Sequence, residues 1–225
     1  MGLDLTVEAA AKPGHEAEWR SIIGRSFKDE DLSDAEIAQF QEISIAGYAN
    51  VGAPRVGFDA AADAWIVKVR GAETPEAVAQ VLKEFHGNYA LPLVTCDGLP
   101  RYTHANLYEG VDETSFRGAF LKTCTDVLTG EQIADAWEHK FPEDAMRYGH
   151  ALLAAADRAE ADGPPPPRPP KPELKKRGFL AGLLGKQPVA EPEPEAWDEQ
   201  LNIVRAAGRW YVFWGERGHA IRAFF

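Results

Sequence analysis

Gly163-Pro164-Pro165-Pro166-Pro167-Arg168-Pro169-Pro170-Lys171-Pro172 divides the chain. Seven of these ten residues are proline. Each fixes φ and removes a backbone donor, so neither a helix nor a central strand passes through. Polyproline II is the conformation such a run favours. Three parts follow from this break: an α+β body over 1–162, a proline-rich linker with a basic-apolar insert over 163–199, and a strand-rich tail over 200–225 that is too small to fold alone.

Upstream of the break, Leu3, Leu5 and Val7 alternate with Asp4, Thr6 and Glu8, the period of a half-buried strand. Lys12-Pro13-Gly14 turns the chain into a helix striped by Trp19, Ile22, Ile23 and Phe27. Ser33-x-x-Glu36 is a capping box with Leu32 and Ile37 placed as a staple, which predicts a helix to about Ile43 that buries Ile37 and Phe40. Residues 46–58 suit a loop or short edge strand. Trp65, Val67 and Val69 alternate with Ile66, Lys68 and Arg70 and predict a strand. Thr74-Pro75 opens a helix with its proline at the first position, and Tyr89–Thr95 is a further strand candidate. From Thr114 a helix is expected with Phe116, Phe120 and Cys124 on one face. Thr129-x-x-Gln132 is a second capping box, and Pro142 opens a long helix to about Ala161.

Downstream, Leu201–Ala206, Arg209–Trp214 and His219–Phe224 read as short strands, with Gly215–Gly218 closing a hairpin. The predicted class is therefore α+β. It has a mixed or antiparallel sheet with helices packed on one face, and a C-terminal aromatic-rich β-hairpin completes the sheet begun by Leu3–Glu8 and Trp65–Arg70. The order of elements in the N-terminal part resembles a ferredoxin-like split βαβ arrangement. The Lys12-Pro13-Gly14-His15-Glu16 lead-in is similar to that of small ferredoxin-like α/β-barrel proteins, while the helix at 33–43 departs from their pattern. The resemblance implies a fold and no function, because that fold hosts many.

The chain of 225 residues carries a net charge of −11, unevenly spread. Residues 1–162 hold 28 acidic and 14 basic side chains, a balance that repels phosphate backbones and argues against a nucleic-acid partner. Residues 168–186 have net charge +5 and residues 187–200 have −5. Lys175, Lys176 and Arg177 with Phe179, Leu180, Leu183 and Leu184 form a basic-apolar contact segment. Another protein is its expected partner. Peripheral contact of residues 174–186 with an anionic membrane, and a plain spacer resting on the acidic body, stay open beside that reading. Two cysteines and no basic-then-apolar leader point to the cytoplasm.

The densest polar stretch is Thr95–Glu113. Cys96, His104 and Asp112 are its candidate catalytic groups: a thiol, a base and a carboxylate that would need to meet in space. Arg101, Tyr102, Asn106, Tyr108, Glu109 and Arg117 are its candidate ligand-binding groups, because arginines hold carboxylates or phosphates and tyrosines wall an organic ligand. The spacing of Cys96, His104 and Asp112 fits no compact metal motif, and the glycines form no phosphate loop, so neither metal nor cofactor is expected. The leading expectation is a soluble binding or adaptor protein with an acidic body. The alternative is an enzyme or small-molecule binder with its pocket formed by residues 96–117.

Overall fold

The computed structural model describes residues 3–88, 90, 115–116, 118–166 and 196–225. Through residue 90 the order is β1 (Asp4–Val7), β2 (Ala10–Ala11), α1 (Glu16–Ser26), α2 (Asp34–Ile43), β3 (Ser44–Ile45), α3 (Gly47–Asn50), α4 (Ala60–Arg70) and α5 (Pro75–Glu84). It continues with β4 (Ser115–Phe116), a 3-10 helix (Gly118–Thr123), α6 (Gly130–Asp135), α7 (Pro142–Asp162), α8 (Trp197–Glu216) and β5 (Ile221–Phe224). The result is a mixed α+β fold with helices around small antiparallel sheets.

The alternation in Leu3–Val7 makes the strand it predicts. Leu3 and Leu5 are fully buried, and β1 is the middle of a three-stranded sheet ordered β4-β1-β5. Both partners are antiparallel to it; Leu5 lies opposite Phe116 on one side and Ala223 on the other. A second sheet pairs β2 with β3 through Ala10 and Ile45. The strand after α1 and α2 thus joins β2 and not β1, and β1 is flanked by distant parts of the chain. This differs from the ferredoxin-like order.

Two stretches that alternate like strands are helices. Trp65–Arg70 is the second half of α4. The preceding run Ala60-Ala61-Ala62-Asp63-Ala64 has high helix propensity. Ala62 and Ile66, four apart, are the buried pair, and Gly71 closes the helix at φ 62°. The tail is the larger correction: α8 occupies residues 197–216, and only Ile221–Phe224 is a strand, so the hairpin at Gly215–Gly218 does not form. Leu201, Val204, Gly208, Tyr211 and Gly215 recur at intervals of three and four and are all buried, as are Ile203, Ala207, Trp210 and Trp214. Two adjacent buried stripes require a helix enclosed on most of its surface. Aromatic β-propensity loses to that packing.

The principal core forms where α7 and α8 lie against β1, β5 and the 3-10 helix, with Leu5, Leu121, Leu152, Trp210, Trp214 and Ile221 fully buried in it. α7 and α8 run antiparallel and approach through glycine. A Cβ on Gly149 would stand 2.7 Å from the Gly208 carbonyl oxygen, and one on Gly215 would stand 2.8 Å from that of Pro142. A second cluster joins Trp19, Ile22, Ile23, Ile43 and Ala220, and a third gathers Val56, Ala62, Ile66 and Ala90, with the half-buried Val81 and Leu82 of α5 packed against it.

Both capping boxes form as spelled, at Ser33 and Glu36 and at Thr129 and Gln132. Ile37, however, is 44% exposed and Phe40 only half-buried. The expected helix from Thr114 is instead β4 followed by the 3-10 helix, with Cys124 buried just after it. The Tyr89–Thr95 strand candidate lies outside the described residues except for the buried Ala90.

Candidate functional site

The geometry that matters most is at one end of the α7–α8 pair. Arg205 bonds Glu160 at 2.5 Å and Asp157 at 3.3 Å, Gly208 faces Gly149 and Leu153, and Gly215 faces Met146 and Pro142. Residue numbers rise along one helix as they fall along the other, so the end of α7 at Asp162 and the start of α8 at Trp197 share one end of a helical hairpin. Antiparallel helices of this kind are joined by about two to eight residues. Here 34 residues intervene. They contain the whole proline run and the basic-apolar segment.

The expected contact residues Lys175, Lys176, Arg177, Phe179, Leu180, Leu183 and Leu184 fall in this insert and lie outside the described residues; so do the site candidates Cys96, His104, Asp112, Arg101, Tyr102, Asn106, Tyr108, Glu109 and Arg117 of the 96–117 stretch. The described structure therefore supplies frames to which both stretches attach: Ala90 and β4 for the first, α7 and α8 for the second.

Within the described residues, several buried polar groups are held by the fold. Gln200 accepts from the Asp126 amide at 3.0 Å and donates to its carboxylate at 2.9 Å. The Lys140 ammonium, 4% exposed, donates to the Asp135 carbonyl at 2.6 Å and its carboxylate at 2.9 Å, and lies 4.6 Å from the Tyr148 ring centre. Tyr148 donates to the Gln132 carbonyl at 2.7 Å, and burial raises the pKa of its phenol. Arg222 spans Glu8 and Ser26.

Two open clefts meet at Glu138 and His139. One of about 670 Å³ is lined by Gln132, Asp135, Lys140 and Tyr148 among others, and one of about 570 Å³ by Arg20, Arg25, Phe27 and Phe141 among others. Both arginines along the second are already engaged: Arg20 with Glu143 at 2.5 Å, and Arg25 with Glu30 and Glu36. The side-chain hydrogen bonds of Glu143 and Glu36 hold their carboxyls below the usual range, with Arg20 the largest cause for Glu143 and Ser33 for Glu36. His139 gives these clefts a ring stacked 4.6 Å from Phe27, with Nδ1 accepting from the Ala223 amide at 3.1 Å.

Among the described residues no three His, Cys, Asp or Glu side chains gather as a metal site would need, and no helix is long and apolar enough to cross a membrane. Sequence reasoning missed the hairpin because it requires α8 to be a helix; the three-four spacing of Leu201, Val204, Gly208 and Tyr211 was the available signal. Comparison of the chain with protein-family models, curated proteins and solved structures found no match.

Proposed function

We propose that this is a binding or adaptor protein that presents residues 163–196 to a protein partner from the end of the α7–α8 hairpin. The observation that carries this reading is the length of the connection. Its two anchors belong to one end of a packed hairpin, so 34 residues are far more than the connection needs. Long loops in compact domains are commonly functional or linker segments. This one has its charge sorted into a basic block with leucines and phenylalanine followed by an acidic block, which favours recognition over a uniform tether.

The test replaces residues 164–195 by six glycine and serine residues. The expected outcome is a shortened protein with an unchanged helical signal and a melting temperature no lower than that of the full chain. Photo-crosslinking from position 179 or 183 of the full chain in a lysate of its source should trap a discrete protein, and Leu183→Asp with Leu184→Asp should abolish the product. Loss of folding on shortening, or crosslinking indifferent to the two aspartates, would refute the reading.

A further inference from the structure

β5 is held along both edges, and a histidine is a working part of each. On the inner side, β5 pairs with β1, and Glu8 donates its amide to the Ala220 carbonyl at 2.9 Å. On the outer side, Ile221 and Lys140 exchange backbone bonds at 2.8 and 2.9 Å. The next outward amide, that of Ala223, meets no backbone carbonyl; it donates to Nδ1 of His139. A backbone N–H can only donate, so Nδ1 must be an unprotonated acceptor and the ring must be neutral.

The second histidine reaches the same conclusion by another route. His219 is fully buried just before β5. Its Nδ1 lies 2.7 Å from the Glu8 carbonyl, to which it donates. Its Nε2 lies 2.8 Å from Nδ2 of Asn50. That Asn50 nitrogen also lies 2.9 Å from the Arg217 carbonyl, which identifies it as the amide nitrogen and a donor. Nε2 of His219 is therefore an acceptor, and this ring too is neutral.

We propose that β5 is an acid-labile clasp, in which a proton on the acceptor nitrogen of His139 or His219 removes a hydrogen bond that secures the strand and opens it locally while the α7–α8 core stays folded. In place of the lost bond two donors would face each other, in surroundings where Ala223 is 4% exposed and His219 is sealed.

Charged neighbours on each packed element fit this assignment. Facing His139 are Arg222 from β5 and Glu8 just after β1, with Asp29 from the turn after α1 and Glu138 beside it in the chain. The clefts it borders bring Arg20, Arg25 and Lys28 from the α1 side. Glu131 and Asp135 from α6, Lys140, and Asp144 and Arg147 from α7 border it on the other side. Burial leads the lowering of its pKa, Arg222 adds to it, and the three carboxylates Asp29, Glu138 and Glu8 oppose it. Around His219 stand the Glu8 carbonyl, Asn50, Arg217 and the edge of Trp214; burial again lowers the pKa, with the Glu8 carbonyl opposing.

Because both folded values lie below the unfolded one, the clasp is complete above a pH of about 6.5 and weakens as the pH falls toward the folded values. In that window the open population grows by up to about tenfold per pH unit for each histidine.

Amide hydrogen exchange on the full chain tests this, read residue by residue and corrected for intrinsic rates. Between pH 7.5 and 5.5, protection at Ile221 and Ala223 should fall, by up to about tenfold for each histidine, while Leu152 and Tyr211 keep theirs. In His139→Asn, the amide oxygen can replace Nδ1 as acceptor and takes no proton in this range, so Ala223 should lose part of its pH dependence. Imidazole nitrogen shifts of the unmodified protein should show His139 as the Nε2–H tautomer and His219 as the Nδ1–H tautomer at pH 7.5, which needs no variant to fold. A pH-independent Ala223, protection lost together in β5 and Leu152, an unaltered slope in His139→Asn, or the opposite tautomers would each overturn the clasp.

Discussion

The α7–α8 pair and the α4–α5 pair are both helical hairpins made from apolar stripes, yet they use those stripes differently. α8 buries eleven of its twenty residues, Trp210, Tyr211 and Trp214 among them. α5 has a clean apolar face of Val78, Val81 and Leu82, continued by Phe85 at its C-cap, and none of its residues is buried. Its cluster with α4 is closed by four buried residues, and Phe58 at its margin is 64% exposed. A well-formed stripe thus predicts that a helix exists, and only the partner decides how much free energy the stripe contributes. Stability is therefore concentrated in the two helices α7 and α8, and the α4–α5 pair is the region expected to open first.

The sharpest way to break that contrast is a pair of truncations. Trp210→Ala should cost about 3–5 kcal/mol and lower the melting temperature of the whole molecule. Ile66→Ala should cost about 2 kcal/mol, at the low end for such truncations, and release the amides of α4 and α5 while those of α7 keep their protection. Equal global effects in the denaturation curves would erase the distinction between the two hairpins.

A smaller effect probes how close α7 and α8 must come. Gly208→Ala places its Cβ 2.7 Å from the Leu153 Cγ and 3.0 Å from the Gly149 carbonyl oxygen, so the helices must separate, at a cost of about 1–3 kcal/mol in urea unfolding. An unchanged urea midpoint would show that the interface yields without loss.

The smallest effect has the opposite sign. The hydroxyl of Tyr211 is buried with no hydrogen-bond partner among the described residues, and burial raises its pKa well above that of a free phenol. Tyr211→Phe should leave stability unchanged or raise it by up to about 1 kcal/mol, because the desolvated hydroxyl contributes no protein bond. A marked loss in the same unfolding assay would mean that the hydroxyl is held after all.

Much of the local punctuation was legible from single residues. Ser33 and Thr129 accept from the amides three residues on, as their capping boxes spell, and Pro142 starts α7 at its first position. These signals depend on contacts within one turn. The alternations at 65–70 and 210–214 misled because five or six residues can satisfy a two-residue period by accident, and the competing evidence was longer in range. For α4 it was the alanine run beginning at Ala60; for α8 it was the match between Gly208 and Gly149, 59 positions away in the chain. The neutral histidines were harder still. His139 is defined by an amide from β5, and His219 by Asn50 of α3, and neither relation leaves a trace in spacing. The candidate residues at 96–117 and 174–186 were chosen by chemistry alone and lie outside the described residues.

The glycine contacts between α7 and α8 bear on the freedom of the chain to change. Closing a loop costs entropy that grows only with the logarithm of its length, about 0.6 kcal/mol for each doubling. Going from a four-residue turn to 34 residues is roughly three doublings, or about 2 kcal/mol. Fully burying a large apolar side chain contributes about 1.5–3 kcal/mol, and Leu152, Trp210 and Trp214 of these two helices are all fully buried. The hairpin thereby separates two evolutionary problems: the insert is at liberty to lengthen, shorten or exchange its motif, while the scaffold that carries it inherits almost no obligation to follow.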